Sequence, residues 1–437
     1  MLGRAMLFPP FLLLFLGVFV QHAAPVRSRV PFEAAVRYLE QERYDEALAA
    51  FQSILKQSPE QSLTHCYIGI VYQEKNMLSE ALAAYREALA VAAPPHVHGN
   101  AHLHIGIVYK AQGQLPLAEK HLQQAVTFLP ETAEARIHLG DVHLLQHRLK
   151  AAERAYRAGI RLNPEHTESY YGLGRVAEMQ NNLTAAVAYY RDALERNQYL
   201  AQAYYRLALT YRRLRQPERA KTAMSQFTRM KAYEDAVHYY RESLYTHPNE
   251  PTLYVKLGAL HESVKNLAAA ERVYHIATTV HPKFLPPYHS LGELFIRQRA
   301  LEKASAVYTR ATEIAPDDVQ AWLKLGVIAI NQKRFPDAIR SFHAAISADG
   351  TSAEAHNNLA RVYAGLGEEL QASVTLAKQA VALSPTAKHY DTLAYAYYRN
   401  GQYAEALVAI QRAVEMEPER EAYQKLLSEI QAAGTAK

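Results

Sequence analysis

Apolar residues recur along this chain at the spacing of a helix face, and the small ones recur again at a fixed longer interval. Within residues 387–420, Tyr390, Leu393, Ala394 and Tyr397 fall at i, i+3, i+4 and i+7, the stripe of one helix. Tyr403, Ala406, Ile410 and Ala413 give a second stripe, Gly401 between the two predicts a turn, and Pro418 predicts the stop. The same order runs through Tyr288, Leu291, Gly292 and Phe295 into Ala304, Tyr308, Ala311 and Pro316, and through Trp322, Leu325 and Gly326 into Phe335, Ala338, Phe342 and Ala345. Eight prolines (Pro59, Pro130, Pro164, Pro248, Pro282, Pro316, Pro385 and Pro418) stand at the exit of a second helix, where a fixed φ and a missing N–H end it. The predicted unit is a helical hairpin.

The hairpins keep a beat of 34 residues. Ala47 and Ala81 are one step apart, as are Ala118, Ala152, Ala186 and Ala220, and then Ala236, Ala270, Ala304 and Ala338, with Ala406 two steps further on. A fixed period of this length implies stacked repeats in which each unit buries its apolar face on its neighbours. Small residues at mid-helix let helices approach closely, while the aromatic and leucine positions fill the space around them. The beat fails twice: Ala81 to Ala118 is 37 residues, which predicts a loop insert at residues 93–99, and Ala220 to Ala236 is only 16. The short step predicts two second-type helices in succession, Pro217 to Met230 and Tyr233 to Thr246, with no first-type helix between them. The expected organisation is therefore one array of six repeats over 28–231 and a second over 232–420, a half repeat followed by five. Residues 421–437 follow as a capping helix and tail, with Tyr423, Leu426, Leu427 and Ile430 on one face and the last six residues frayed.

The pattern of a large residue, Leu-Gly, Tyr, Gly, Ala, an aromatic, Ala and Pro resembles the tetratricopeptide repeat family. Residues 285–318 and 387–420 meet it almost completely. Departures occur elsewhere: His143 and His261 stand where Tyr is usual, and Gly159 where Ala is usual. The resemblance implies an all-α right-handed solenoid of about eleven and a half repeats with a C-terminal cap. It also implies a scaffold whose first helices line a concave groove, at the second, fifth, ninth, twelfth and thirteenth positions of each unit. In this chain those positions supply Asp141, Tyr171, Arg175, Tyr205, Arg212, Arg213, His289, Glu293, Asn357, Arg361, Asp391, Tyr395 and Arg399 as partner-binding candidates. The family's clamp for chaperone carboxyl termini needs lysine at the fifth and asparagine at the ninth position, and no repeat carries that pair. The asparagine ladder of its glycosyltransferase-associated arrays is missing too, His356-Asn357-Asn358-Leu359 being the one partial likeness.

Residues 1–24 have the layout of a secretory signal peptide: Arg4, the apolar run Phe11 to Val20, then Ala23 and Ala24. Gln21 and His22 sit where a cleavage site wants a small residue, so retention as an N-terminal membrane anchor is the alternative. Either way the expected location is secretory or periplasmic. The single cysteine, Cys66, excludes an intramolecular disulfide and reads as packing. Asn182-Leu183-Thr184 fits the N-glycosylation pattern, at the turn between two helices, and has meaning there if the source is eukaryotic.

Chemistry-bearing motifs are few. There is no phosphate-binding glycine loop, GxSxG elbow or HExxH pair, and no cofactor, metal or catalytic residue is expected. The histidines His96, His98, His102 and His104 could bring two imidazoles to one helical face, but His65 and His356 share the repeat position of His102, which makes it a packing position. The net charge of +5 over 437 residues argues against nucleic acid as the partner. Arg206, Arg212, Arg213, Arg215, Arg219 and Lys221, with Tyr204, Tyr205 and Tyr211 among them, form one local basic cluster. The expectation is a non-catalytic scaffold or adaptor for a peptide or protein outside the cytosol. An accessory subunit that handles or exports a polysaccharide is the alternative, which a continuous track of groove aromatics would favour.

Overall fold

The computed structural model describes residues 26–435, and every regular element among them is an α-helix. The expected leader or anchor, residues 1–24, lies outside the described residues. The helices pair in chain order: α1 (Val26–Glu40) with α2 (Tyr44–Gln57), α3 (Ser62–Glu74) with α4 (Leu78–Ala90), α5 (Pro95–Ala111) with α6 (Leu115–Phe128), α7 (Ala133–Leu145) with α8 (Leu149–Leu162), and α9 (Thr167–Met179) with α10 (Leu183–Arg196). Helix α11 (Ala201–Arg213) precedes α12 (Pro217–Thr246). Then come α13 (Thr252–Ser263) with α14 (Leu267–Val280), α15 (Pro286–Arg297) with α16 (Leu301–Ile314), α17 (Val319–Asn331) with α18 (Phe335–Ala348), α19 (Ala353–Leu366) with α20 (Leu370–Leu383), and α21 (Ala387–Arg399) with α22 (Tyr403–Met416); α23 (Glu421–Thr435) closes the chain. The architecture is a solenoid of helical hairpins. It divides into two compact units, Met1–Asp235 and Ala236–Lys437.

Packing explains the beat. Ala47, Ala81, Ala118, Ala152, Ala186, Ala270, Ala304, Ala338 and Ala406 are all fully buried on second helices. Sixteen residues after a first-helix glycine comes a second-helix ring that fills the space the missing side chain leaves: Gly69 faces Tyr85, Gly140 Tyr156, Gly174 Tyr190, Gly258 Tyr274, Gly292 Tyr308 and Gly326 Phe342. These rings are among the largest fully buried side chains of the molecule. All eight sequence-marked prolines fall in the short links that follow second helices.

The turns inside the hairpins keep the same count. A residue with φ near +60° to +77° sits in each: Glu42, Asn76, Gly113, His147, Asn181, Arg215, Lys265, Arg299, Lys333, Gly367 and Gly401. Only three of them are glycine, although an L-residue in this region costs roughly 1 kcal/mol. The step from Arg215 to Lys265 is 50 residues, one whole repeat plus 16.

Three local expectations are corrected, and the gap in the alanine beat is accounted for. The residues in excess between Ala81 and Ala118 form no loop insert: α5 begins at Pro95 and runs 17 residues, because a proline at the first helical position starts the helix early. The two expected helices around residue 231 are one helix of 30 residues, α12, since no glycine or proline interrupts Ala220 to Thr246. The missing beat between Ala338 and Ala406 is occupied by Ser373, wholly buried, whose hydroxyl donates to the Ala360 carbonyl at 2.7 Å. Glu369, at φ 46°, lengthens that turn by one residue and displaces the small position from Ala372 to Ser373. At the carboxyl end, α23 buries Tyr423, Leu426 and Ile430 against the preceding pair and continues to Thr435, beyond the expected onset of fraying at Ala432.

Candidate partner-binding face

First helices carry the polar side chains picked out by repeat position, and buried tyrosines of the second helices reach up to hold several of them. Tyr156 donates its hydroxyl to Asp141 at 2.7 Å, Tyr190 to Glu178 at 2.7 Å, Tyr274 to Glu262 at 2.8 Å and Tyr308 to Glu293 at 3.4 Å. In the α3/α4 pair the acceptor is an amide, Gln73, at 3.0 Å from Tyr85. A hydrogen bond to a charged group contributes about 1.5–3 kcal/mol, so each carboxylate is fixed by the core beneath it.

In the first unit, Asp141 is fully engaged. Lys110 on α5 lies 2.6 Å from one oxygen, His138 3.4 Å from the same oxygen, and Tyr156 takes the other. Burial acts to raise the Asp141 pKa, but Lys110 and His138 outweigh it and hold the group well below the usual carboxylate range. On α9, Tyr171 packs its ring 5.8 Å from Tyr190, and Arg175 makes no hydrogen bond or ion pair among the described residues. Glu178, one turn on, has two arginines of α11 beside it, Arg206 and Arg213, each at 3.8 Å. Arg213 also donates to the side-chain oxygen of Asn181 at 2.6 Å. Tyr205 is 39 % exposed with its ring 5.1 Å from Phe227, and Arg212 is exposed without an ion pair among the described residues.

In the second unit Lys324, Arg297 and Arg361 each have a carboxylate partner. His289 Nε2 lies 2.8 Å from Asp318, Lys324 lies 2.6 Å from Glu293, Arg297 pairs with Glu262, and Arg361 lies 2.7 Å from Asp391. Burial raises the Asp391 pKa and Arg361 opposes it. The Arg361 guanidinium also sits over the Tyr395 ring at 4.7 Å, and Arg399 donates to the Tyr395 hydroxyl at 2.9 Å and to the Gly365 carbonyl at 3.3 Å. Asn357 differs from the other candidates: it is only 2 % exposed, and its amide donates to Asn358 at 3.3 Å. Flanked by the buried His356 and Leu359, it belongs to the core side of α19.

Sequence position alone missed Glu178, Lys110, Arg206, Lys324 and Asp318. Glu178 and Lys110 stand at the twelfth place of their units, where the signal was available; Arg206 and Lys324 stand at the sixth, which is not among the groove positions of the repeat. The histidines do not converge: His98 Nε2 contacts the Val91 carbonyl at 2.9 Å, His104 stacks on Tyr85 at 5.4 Å, and His102 meets His121, Nδ1 to Nδ1, at 2.9 Å. Burial, then His121, His98 and Lys120, push the His102 pKa down to about 4. Among the described residues no group of three or more histidine, cysteine or acidic side chains could hold a metal ion. Burial pushes the Cys66 thiol up to about 12, which suits a packing role. No described helix is long and apolar enough to cross a membrane. Asn182 caps α10, accepting from the Ala185 N–H at 3.2 Å, and its side chain is exposed.

Residues 32–98, 103–158 and 146–201 match one profile of the tetratricopeptide repeat, and residues 201–232 match another. The chain carries tetratricopeptide repeats. Residues 226–430 match the profile described as the cilia and flagella-associated protein 70 C-terminal domain. No curated protein matches the sequence. Among solved structures the repeats are similar to YrrB, described as a TPR protein with an unusual peptide-binding site, at 15 % identity over 43 % of this chain and 96 % of that one, with a TM-score of 0.37. They are also similar to PilW, a type IV pilus biogenesis factor (18 %, 46 % and 93 %, TM-score 0.42), and to MamA (23 %, 38 % and 96 %, TM-score 0.34).

Proposed function

We propose that this chain is a non-catalytic scaffold that binds a peptide or protein partner along the concave groove of its first helices. One observation carries the reading: first-helix side chains of mixed charge are fixed in place from below by buried tyrosine hydroxyls, at Asp141, Glu178, Glu262 and Glu293. A polar surface ordered before contact loses less side-chain entropy on binding. The groove tyrosines favour a protein over a carbohydrate. Two of the three have charged neighbours, Tyr171 lying four residues before Arg175 and Tyr395 standing between Arg361 and Arg399, while Tyr205 packs on Phe227.

The partner meets the scaffold outside the cytosol, a reading supported by the leader-like residues 1–24. A second reading, a scaffold associated with cilia or flagella, is favoured by the profile match over residues 226–430. Cell fractionation of the tagged full chain separates the two: recovery in a secretory or periplasmic fraction supports the first, and recovery in a ciliary fraction supports the second. The groove itself is tested by capture from the native compartment with Arg175→Glu and Arg361→Glu variants. A partner retained equally by both variants counts against groove binding.

A further inference from the structure

We infer that the first-helix face of α9 and α11 recognises an acidic segment of a partner polypeptide, through Arg175, Arg206, Arg212 and Arg213. The inference rests on the scaffold reading and adds the chemistry of the partner. Its basis is a charge imbalance on this face. Helices α9 and α11 carry four arginines, and two of them, Arg206 and Arg213, share one carboxylate, Glu178, whose side chain is only 14 % exposed and is already bonded to Tyr190. Arg206 and Arg213 approach it at 3.8 Å, too far for a hydrogen bond, while Arg175 and Arg212 have no ion pair among the described residues. Of the other carboxylates on neighbouring first helices, Glu168 lies beside His166 at 3.1 Å and Asp141 is engaged by Lys110, His138 and Tyr156. Three positive charges are thus left without an acidic partner of their own.

The second unit provides an internal comparison. There, Arg297, Lys324 and Arg361 each have their own carboxylate, in Glu262, Glu293 and Asp391. Uncompensated arginines packed near one another repel, and a state in which they are paired from outside is favoured. Guanidinium groups are suited to this because each offers a planar fork that fits a carboxylate with two parallel hydrogen bonds. An extended chain advances about 3.3 Å per residue, so an acidic segment that crosses successive first helices would meet the arginines of α9 and α11 in turn. Tyr171 and the 39 % exposed Tyr205 flank the arginines and supply apolar contact with hydroxyl ends.

The test uses the full chain and three fluorescently labelled probes: a twelve-residue peptide alternating glutamate with serine, a matched lysine peptide, and an oligogalacturonate of similar charge. Expected is saturable binding of the acidic peptide alone, weakened at least tenfold by Arg175→Glu with Arg212→Glu and unchanged by Arg412→Glu, a charge reversal on α22 in the other unit. Both substituted arginines are solvent-reaching, and an unchanged circular dichroism melt checks that the variants fold. Equal affinity of wild type and the double variant for the acidic peptide overturns the inference, as does preference for the oligogalacturonate. A native partner captured equally by wild type and the double variant, yet lost in Arg361→Glu, overturns the acidic-segment inference while leaving the scaffold reading intact.

Discussion

Replacing Gly292 by alanine sets two opposed effects against each other, and the structure decides between them. Alanine in a helix interior is favoured over glycine by about 0.8–1 kcal/mol, so on an open face the change stabilises. At Gly292 the face is closed: a Cβ would lie 2.5 Å from both Cε2 and Cζ of Tyr308 and 3.0 Å from its hydroxyl oxygen. Carbon atoms prefer about 3.5–4.0 Å, so the ring must retreat by roughly 1 Å. It has nowhere to go, because Tyr308 is fully buried and packed with Tyr288, Leu291 and Phe295. Overpacking of this kind costs typically about 1–3 kcal/mol, occasionally more, which exceeds the propensity gain. The expected outcome for Gly292→Ala is a net loss of about 1–2 kcal/mol, read as a lowered urea midpoint. Gly365→Ala is the matched control, since a Cβ there meets nothing within 4 Å and the residue lies inside α19. That variant is expected to gain up to about 1 kcal/mol, somewhat less near a helix end. Equal shifts in the two variants, or a gain at Gly292, would refute the idea that the glycine–ring contact sets the repeat.

Three further outcomes follow from the same packing. Tyr190→Phe keeps the ring, as Phe51 and Phe342 show a repeat can, but removes the bond to Glu178; a loss of about 1.5–3 kcal/mol in chemical denaturation is expected, and no loss would mean the hydroxyl does not hold the carboxylate. Lys333→Gly relieves an exposed residue held at φ 58° and should raise stability by about 0.5–1 kcal/mol, less whatever the unfolded chain gains in freedom; a fall in melting temperature would contradict the strain argument. His261, pushed down to about 4 by burial and by Arg241 and Arg272, is 5 % exposed and stays neutral in the fold while the unfolded chain takes up a proton near 6.5, so stability is present above 6.5 and is lost as pH falls towards 4, by up to about 1.4 kcal/mol per pH unit. His261→Tyr should flatten that dependence, and an unchanged slope between pH 6.5 and 4 would show that His261 does not cause it.

The hairpin was legible because its determinants are local in sequence: a glycine and the ring that fills its place are 16 residues apart, and the proline stop follows within the same repeat. The departures were not, since each depends on what a residue tolerates rather than what it prefers. His147, Arg215, Arg299 and Lys333 carry no turn signal, yet all adopt positive φ because the packed hairpins on either side impose it. The fusion of two expected helices into α12 turns on the absence of a breaker in the segment Ser225 to Ala232, every residue of which can be helical once its neighbours are. The polar face was legible by position and not by state. Repeat counting reaches Arg175 and Arg361 alike, but whether the guanidinium is free or sits 2.7 Å from Asp391 depends on helices one repeat away.

That difference in state has a consequence for how the two units should respond to salt. The tyrosine hydroxyl device is the same in both, so the carboxylates of both are held in place from below. What reaches solvent is then set by the cations. On α9 and α11 they outnumber the carboxylates, and any ligand attracted there is attracted partly by field, which salt screens over about 8–10 Å at ordinary ionic strength. In the second unit Lys324, Arg297 and Arg361 are already paired with Glu293, Glu262 and Asp391, and a ligand must compete with those pairs instead of completing them. Added salt weakens the internal pairs as well as the ligand's own contacts, so the two effects offset. Binding to the first unit should therefore weaken steeply with ionic strength, chiefly through a slower association rate, while binding to the second should change little. A titration of one partner across salt, compared between Arg175→Glu and Arg361→Glu, separates the two: the salt slope should collapse in the first variant and persist in the second, and the opposite result would place the field-driven contact on the wrong unit.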